Sequence, residues 1–307
     1  MSVRRVAITG ATGLLGPRVV AALRERGAEV TILTRAPERA RGQLGAEVEA
    51  VRWDGIAEAA PVHALEGRDA IVHLAGEPVA QRWTHRARTA IRESRVRGTA
   101  NLVTGIAACS ERPAALVHAS AIGYYGPRGE EPIDEDVGPG SDFLAGVCAE
   151  WEAEAARAEG LGVRTVAVRT GVVLDVHGGA LAKMLPPFRL GVGGPVAGGR
   201  QYIAWIHEQD YVGLVLAAIE GADWRGPVNA TAPEPVPNAA FSRELGRVLG
   251  RPALLPVPAL ALRALYGEMS EIITTGARVV PAKALVLGYE FAHPHLPEAL
   301  RSALATT

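Results

Sequence analysis

Three glycines at intervals of three, in Thr9-Gly10-Ala11-Thr12-Gly13-Leu14-Leu15-Gly16, follow the apolar run Val6-Ala7-Ile8 and lead into Pro17-Arg18-Val19-Val20-Ala21-Ala22-Leu23. This spacing suits the binding of a pyrophosphate. Gly10 lets the chain turn out of a strand, Gly13 lets backbone approach a phosphate with no Cβ in the way, and Gly16 lets the new helix pack closely on its strand. The helix N-terminus adds N–H groups that have no intrahelical acceptor. Pro17 falls in the first turn, where a missing N–H costs little. With 35 glycines in the chain the pattern alone is a modest signal. Its place between an apolar run and a helical one gives it weight.

A second group with chemical potential is Ser120, at the end of Ala114-Ala115-Leu116-Val117-His118-Ala119, with Tyr124 and Tyr125 shortly after it. A strand-end serine can hydrogen-bond a reacting oxygen, and a tyrosine can exchange a proton with that oxygen. A plain strand-end hydrogen bond for Ser120 and aromatic packing for the tyrosines remain open beside that reading. Arg35 stands at the end of a third informative stretch, Ala28-Glu29-Val30-Thr31-Ile32-Leu33-Thr34-Arg35. An acidic residue there would accept hydrogen bonds from a ribose 2′-OH, whereas Thr34-Arg35, with Arg39 and Arg41 nearby, favours the 2′-phosphate of NADP(H). Only Lys183 and Lys283 are lysines among 32 basic residues, so solvated loop arginines are the alternative.

The elements that must position these residues alternate between strand and helix, which predicts an α/β fold with a parallel, doubly wound sheet. Strands are expected at 6–9, 28–35, 48–53, 69–76, 114–120, 164–174, 201–206 and 226–230, and helices at 84–110, 141–160, 207–220 and 239–249. Ser141 or Asp142 is a plausible N-cap for the second of these helices. The long acidic loop that ends at Gly140 lies at the ligand edge, where such loops are often functional. Residues 191–199 are too rich in glycine for regular structure and read as a mobile lid or turn. Prolines 252, 256 and 258 mark a boundary, followed by a helical run, Val280-Pro281-Ala282-Lys283 and a terminal piece from Gly288 to Leu304.

Length and composition agree with one large domain carrying a smaller appendage. The 307 residues are 48% hydrophobic, enough for a substantial core. A net charge of −1 offers no basic footprint for nucleic acid or for an anionic membrane. No apolar run reaches the roughly 20 residues that span a bilayer, and the start of the chain does not read as a signal peptide, so a cytoplasmic protein is expected. Cys109 and Cys148 have no metal-ligand spacing and read as buried thiols, with no metal site expected.

Taken together, the pieces resemble the extended or atypical short-chain dehydrogenase/reductase superfamily, in particular its nucleotide-sugar epimerase-like family with a small C-terminal domain of unknown function. The carriers are the glycine turn, His73-Leu74-Ala75-Gly76-Glu77-Pro78, Ser120 with Gly123-Tyr124-Tyr125-Gly126, Arg169-Thr170-Gly171-Val172-Val173-Leu174, and Trp205-Ile206-His207 followed by Asp210. Gly267-Glu268-Met269, Pro281-Ala282-Lys283 and Gly288-Tyr289-Glu290-Phe291 extend the match to the C-terminus. The resemblance implies an NADP(H)-binding Rossmann domain over 1–174 and 201–252, with a smaller substrate-side or lid region over 175–200 and 253–307. It implies a cofactor held by Gly10, Thr12, Gly13, Leu14, Leu15 and Gly16, by Thr34 and Arg35, and by Trp53 and Asp54. Leu74, Ala75, Gly76, Glu77, Arg82, Ser120, Arg169 and Gly171 complete that set. Glu77 and Arg82 either meet the cofactor or pair with each other.

The superfamily's chemistry uses a tyrosine and, four residues later, a lysine that lowers the tyrosine's pKa and binds the ribose. No Tyr-x-x-x-Lys occurs in this chain: Gly179 precedes Lys183 by four and Val279 precedes Lys283 by four. By spacing from Ser120 and Glu152, Leu144 and Cys148 take the two positions, and Cys148 is either redox-active or inert. Two functions are therefore expected in competition. One is an NADP(H)-dependent oxidoreductase or epimerase whose proton moves through Ser120 and Tyr125 or Tyr124, on a small-molecule substrate, in a monomer or homodimer. The other is a non-catalytic NADPH-binding redox sensor or regulator.

Overall fold

Val6, Ala7 and Ile8 are wholly buried on both faces of their strand, the condition of a central strand in a parallel sheet. The computed structural model describes residues 3–305 of the chain. In chain order the strands are β1 (Arg5–Thr9), β2 (Glu29–Thr34), β3 (Glu49–Arg52), β4 (Ala70–His73), β5 (Ala115–Ala121), β6 (Pro132–Ile133) and β7 (Arg164–Thr170). They continue with β8 (Val172–Leu174), β9 (Tyr202–Ile203), β10 (Trp205–His207), β11 (Gly226–Ala230), β12 (Val236–Pro237) and β13 (Arg278–Val279). The helices are α1 (Gly16–Glu25), α2 (Pro37–Leu44), α3 (Val62–Leu65), α4 (His85–Ala107), α5 (Phe143–Ala156) and α6 (Gly179–Arg189). After them come α7 (Glu208–Glu220), α8 (Asn238–Leu249), α9 (Ala259–Tyr266), α10 (Ser270–Thr274), α11 (Ala282–Val286) and α12 (Leu296–Ala305).

Seven strands form one sheet in the order β11-β7-β5-β4-β1-β2-β3, and every pairing within it is parallel. The strand order reverses between β1 and β4, which makes that seam the switch point at which doubly wound sheets take up ligands. One apolar cluster, including Val19 and Leu23 of α1 and Leu214 and Val215 of α7, covers one face of the sheet. A second, with Leu102 and Ile106 of α4, covers the other. No helix of the described residues is long and apolar enough to cross a membrane.

Two strands expected to be continuous are broken, each for a steric reason. At Gly171 the run from 164 to 174 leaves the main sheet, and β8 pairs with β10 instead. A Cβ on Gly171 would lie 2.4 Å from the Ala204 carbonyl oxygen, so only glycine allows the two bends to meet. The run at 201–206 divides at that same Ala204, whose carbonyl accepts from Val172 N at 2.8 Å. Within the acidic loop, β6 pairs with β13, and α11 opens only at Ala282.

Residues 191–199 are irregular, as their glycines predict, but they are pinned. Val196 N donates to Asn238 Oδ1 at 2.7 Å, Ala197 N to Val257 O at 3.0 Å and Val257 N to Pro195 O at 2.8 Å. The mobile lid expected there is therefore a segment stitched to two others. Leu181, Leu185, Phe241, Leu245, Leu296 and Leu300 share one cluster, so α6, α8 and α12 bury their apolar faces against one another.

Candidate functional site

The glycine turn sits at the switch point and is built for close approach. Gly10 has φ +71°, and a Cβ there would fall 2.6 Å from Ala75 N and from the Leu74 carbonyl carbon, so this glycine serves the β1–β4 seam. Gly16 is equally constrained, with Ala11 backbone 2.5 Å from its notional Cβ. Gly13 differs. Its Cβ would meet only Gly10 O, a tight contact at 3.2 Å, with no other atom within 4 Å.

Helix α1 begins without a side-chain cap and with no acidic residue in its first turn. Its leading N–H groups therefore remain available to an anion. Arg18 locks the turn from behind: Nη1 donates to Leu14 O at 2.9 Å, while the same guanidinium pairs with Asp175 at 3.1 Å and Glu208 at 2.6 Å. Leu14 covers Gly178, where a Cβ would come within 2.4 Å of its side chain. Leu15 packs partly into the core, and Thr12 is half-buried in the turn.

The seam is fastened by a buried imidazole. His73 Nδ1 lies 2.6 Å from Thr9 Oγ1 and its Nε2 lies 3.0 Å from Thr99 Oγ1, while Ala75 N donates to Thr9 Oγ1 at 3.3 Å. Burial pushes the His73 pKa down to about 3, and the nearby His118 and the Arg95 guanidinium act in the same direction. A neutral ring accepting from Thr9 and donating to Thr99 satisfies all three groups.

At the end of β2, Thr34 is half-buried and Arg35 is exposed, its guanidinium free of any hydrogen bond or ion pair to other described residues. Arg35 is thus an uncommitted cation at the end of β2. Trp53 is different from expectation: it is buried in the core with its indole N–H donating to Glu58 O at 3.0 Å, so it offers no ring face to a ligand. Asp54 Oδ1 accepts from Ile56 N at 3.1 Å and closes the turn after β3. Glu77 and Arg82 do not pair. Glu77 Oε1 accepts from Gln81 at 3.1 Å, and Arg82 reaches over to Ala264 O at 3.5 Å. Lys183 Nζ donates to Ala80 O at 3.2 Å, so residues 77–84 form a strap tied to α6 and to α9.

Ser120, Arg169 and Asn229 are register neighbours across β5, β7 and β11. Tertiary structure adds a residue that the sequence reading used only as a spacing marker. Ser120 Oγ donates to Glu152 Oε1 at 2.6 Å, and Arg169 grips the same carboxylate through Nε at 2.9 Å and Nη2 at 2.8 Å. Glu152 follows Leu144 and Cys148 at steps of four on α5, so the three share a helix face. The only sequence signal for it was a lone acid on the face where a lysine is missing.

The two tyrosines separate. Tyr125 is fully buried; its hydroxyl accepts from Arg169 Nη1 at 2.9 Å and donates to Asn229 Oδ1 at 2.7 Å. Burial pushes its pKa up to about 12, against the pull of Arg169. Both lone-pair and proton are committed, so its placement suits a brace rather than the proton donor expected of it. Tyr124 is half-buried, its ring lies under the Arg169 guanidinium at 3.5 Å, and its hydroxyl has no partner among the described residues. Asn229 Nδ2 continues the brace to Val280 O at 2.9 Å. Glu135 takes Asn229 N at 2.9 Å and Lys283 N at 3.1 Å. Cys148 is buried, and that burial pushes its thiol up to about 12, which removes the thiolate that redox chemistry needs.

Comparison with known proteins identifies the family and the fold. The family model for the NAD dependent epimerase/dehydratase family matches residues 6–229, and a domain of unknown function, DUF1731, matches residues 257–303. The chain is 39% identical over 304 residues to the chloroplastic epimerase family protein SDR39U1 homolog of Arabidopsis thaliana, covering 97% of this chain and 86% of that one. It is 37% identical over 306 residues to the mouse (Mus musculus) epimerase family protein SDR39U1, covering 98% and 100%. The crystal structure of human epimerase family protein SDR39U1 with NADPH superposes with a TM-score of 0.89 at 34% identity, covering 99% of this chain and 100% of that one.

Proposed function

Because the chain belongs to the NAD dependent epimerase/dehydratase family, we propose that it is an NADP(H)-dependent oxidoreductase or epimerase acting on a small hydroxyl- or carbonyl-bearing substrate, nucleotide-sugar-like in class. The observation that carries this reading is the hydrogen bond from Ser120 to Glu152 at the same carboxyl edge of the sheet as the glycine turn. The turn from Gly10 to Gly16 and the α1 N-terminus would hold the pyrophosphate, and Thr34 and Arg35 the 2′-phosphate. Leu74 to Gly76 would lie along the ribose. NADP(H), when bound, supplies the acceptor or donor of a hydride.

Ser120 gives its proton to a carboxylate that Arg169 also holds, so toward a ligand the serine offers lone pairs. It therefore accepts a hydrogen bond from a substrate hydroxyl. As that hydroxyl loses its proton to Ser120 Oγ, the serine's own proton passes to Glu152 Oε1, and the reverse path returns it. Tyr124, with an uncommitted hydroxyl, is the tyrosine that can meet the substrate oxygen directly. Tyr125 holds Arg169 in place.

A screen of alcohols and carbonyl compounds that follows NADPH absorbance tests the reading. Substrate-dependent turnover is expected to fall about a hundredfold in Ser120→Ala and Glu152→Gln, the usual range for a lost acid-base group. Turnover unchanged in both variants overturns the proton path. A non-catalytic NADPH-binding sensor is the second reading, favoured by Leu144 and Cys148 standing where the tyrosine and lysine are missing; reproducible turnover eliminates it. Arg35 makes NADPH the preferred cofactor, and tighter binding of NADH in calorimetry overturns that preference.

A further inference from the structure

The missing lysine leaves a question of charge, and α4 answers it. Arg95 lies on the face of α4 that meets Gly76, so close that a Cβ on Gly76 would sit 3.2 Å from its guanidinium carbon. Gly76 follows the end of β4 at the switch point, directly after the Ala75 backbone that packs on Gly10. The guanidinium also lies 5.1 Å from the centre of the Trp151 ring. Trp151 is on α5, one turn after Cys148 on that helix. Arg95 thus occupies the space between the cofactor edge of the sheet and the helix position from which the superfamily's lysine is absent.

Its bonding is incomplete. Nη1 donates to Glu77 O at 2.9 Å and to Ile91 O at 3.1 Å. Nε and Nη2 have no partner among the described residues, and no carboxylate there comes within ion-pair distance. Burial works against the charge and lowers the pKa of Arg95. The Glu77 carboxylate offsets part of that cost through space without forming an ion pair, so two nitrogens of a half-buried guanidinium are left open to the oxygens of a ligand. Guanidinium N–H groups in a fixed fork suit the oxygens of a ribose diol and its phosphate.

We propose that Arg95 binds the nicotinamide-ribose half of NADP(H) from α4, taking over from the opposite helix the ribose-holding part of the missing lysine's task. The inference rests on the cofactor reading above. It leaves proton exchange to Ser120, Glu152 and Tyr124, because a guanidinium does not shuttle protons.

Fluorescence titration of the full chain with two ligands tests it: NADPH, and adenosine 2′,5′-bisphosphate, which has the adenine half and the 2′-phosphate but no nicotinamide ribose. In Arg95→Met, NADPH is expected to bind about tenfold more weakly, the loss of one charge-assisted contact, with bisphosphate binding unchanged. Arg95→Lys is expected to recover most of the NADPH affinity. Equal weakening of both ligands, or no weakening of either, overturns the proposal. Should Arg95→Met not fold, Arg95→Gln and Arg95→Lys are read by the same ratio of the two affinities. Failure of the unmodified protein to bind NADPH overturns the cofactor reading and the proposal with it, whereas binding that is indifferent to Arg95 overturns the proposal alone.

Discussion

Gly10 and Gly13 are indistinguishable as letters in a motif and have separate physical duties. Gly10 is required by the protein, since its φ of +71° and the 2.6 Å approach of Ala75 exclude a side chain. At Gly13 a Cβ would press only on the Gly10 carbonyl oxygen, at 3.2 Å, so the fold asks less of this glycine. Gly10→Ala is therefore expected to cost about 1–3 kcal/mol from the left-handed backbone alone and to lower the melting temperature. Gly13→Ala should lower the melting temperature less than Gly10→Ala does while weakening NADPH about tenfold, or about 1.4 kcal/mol. Thermal melts and NADPH titration of the two variants check this; a Gly13→Ala protein that melts early and binds normally would reverse the assignment. The spacing exposed both glycines. It could not reveal Arg95, which is one of several arginines on its helix, because no local pattern records which of them faces inward.

Between elements, the β1–β4 seam depends on a neutral His73 bridging Thr9 and Thr99. The pKa of His73 is held near 3 in the fold, against 6.5 for the ordinary group. The unfolded chain therefore takes up a proton between those values that the folded chain refuses. The stability linked to the neutral ring is whole above pH 6.5 and is lost as pH falls from there toward 3. His118 and His207 are also lowered by burial and act in the same sense. Urea melts at pH 7.5 and pH 5 should show a clear loss at the lower pH, and His73→Gln should make that loss smaller. An undiminished loss in the variant would remove His73 from the effect. The strand and its histidine were readable from Ala70-Ile71-Val72-His73, but the histidine's partners were not, because Thr9 and Thr99 are 64 and 26 residues away.

On the scale of the whole molecule, the C-terminal region is part of the main body at its far end. Leu296, Ala299, Leu300 and Ala303 of α12 are buried with Phe241 and Leu245 of α8 and Leu181 of α6. Asp210 at the start of α7 accepts from Ala292 N at 2.7 Å and His293 N at 3.0 Å. Gly213 leaves the space that the Tyr289 hydroxyl fills. Leu300→Ala should accordingly cost about 2–5 kcal/mol, the range for truncating a fully buried leucine, as read by urea denaturation. A cost below about 1 kcal/mol would mean that α12 is an appendage after all. The brace from Arg169 through Tyr125 and Asn229 to Val280 ties β13 to the same body, beside Ser120.

By itself the sequence determined the alternation of strand and helix, the parallel sheet, the glycine turn and the absence of the Tyr-x-x-x-Lys pair. Each of these is written in periodicity or in residue types a few positions apart, where backbone sterics act locally. Tertiary structure alone decided that the 164–174 run breaks at Gly171, that Tyr125 is a buried brace, and that Ser120 meets Glu152. Those facts turn on contacts between residues distant in the chain, such as Tyr125 and Asn229, 104 positions apart. They become definite only when the strands come into register, because one hydroxyl or guanidinium has many possible partners until packing leaves it one.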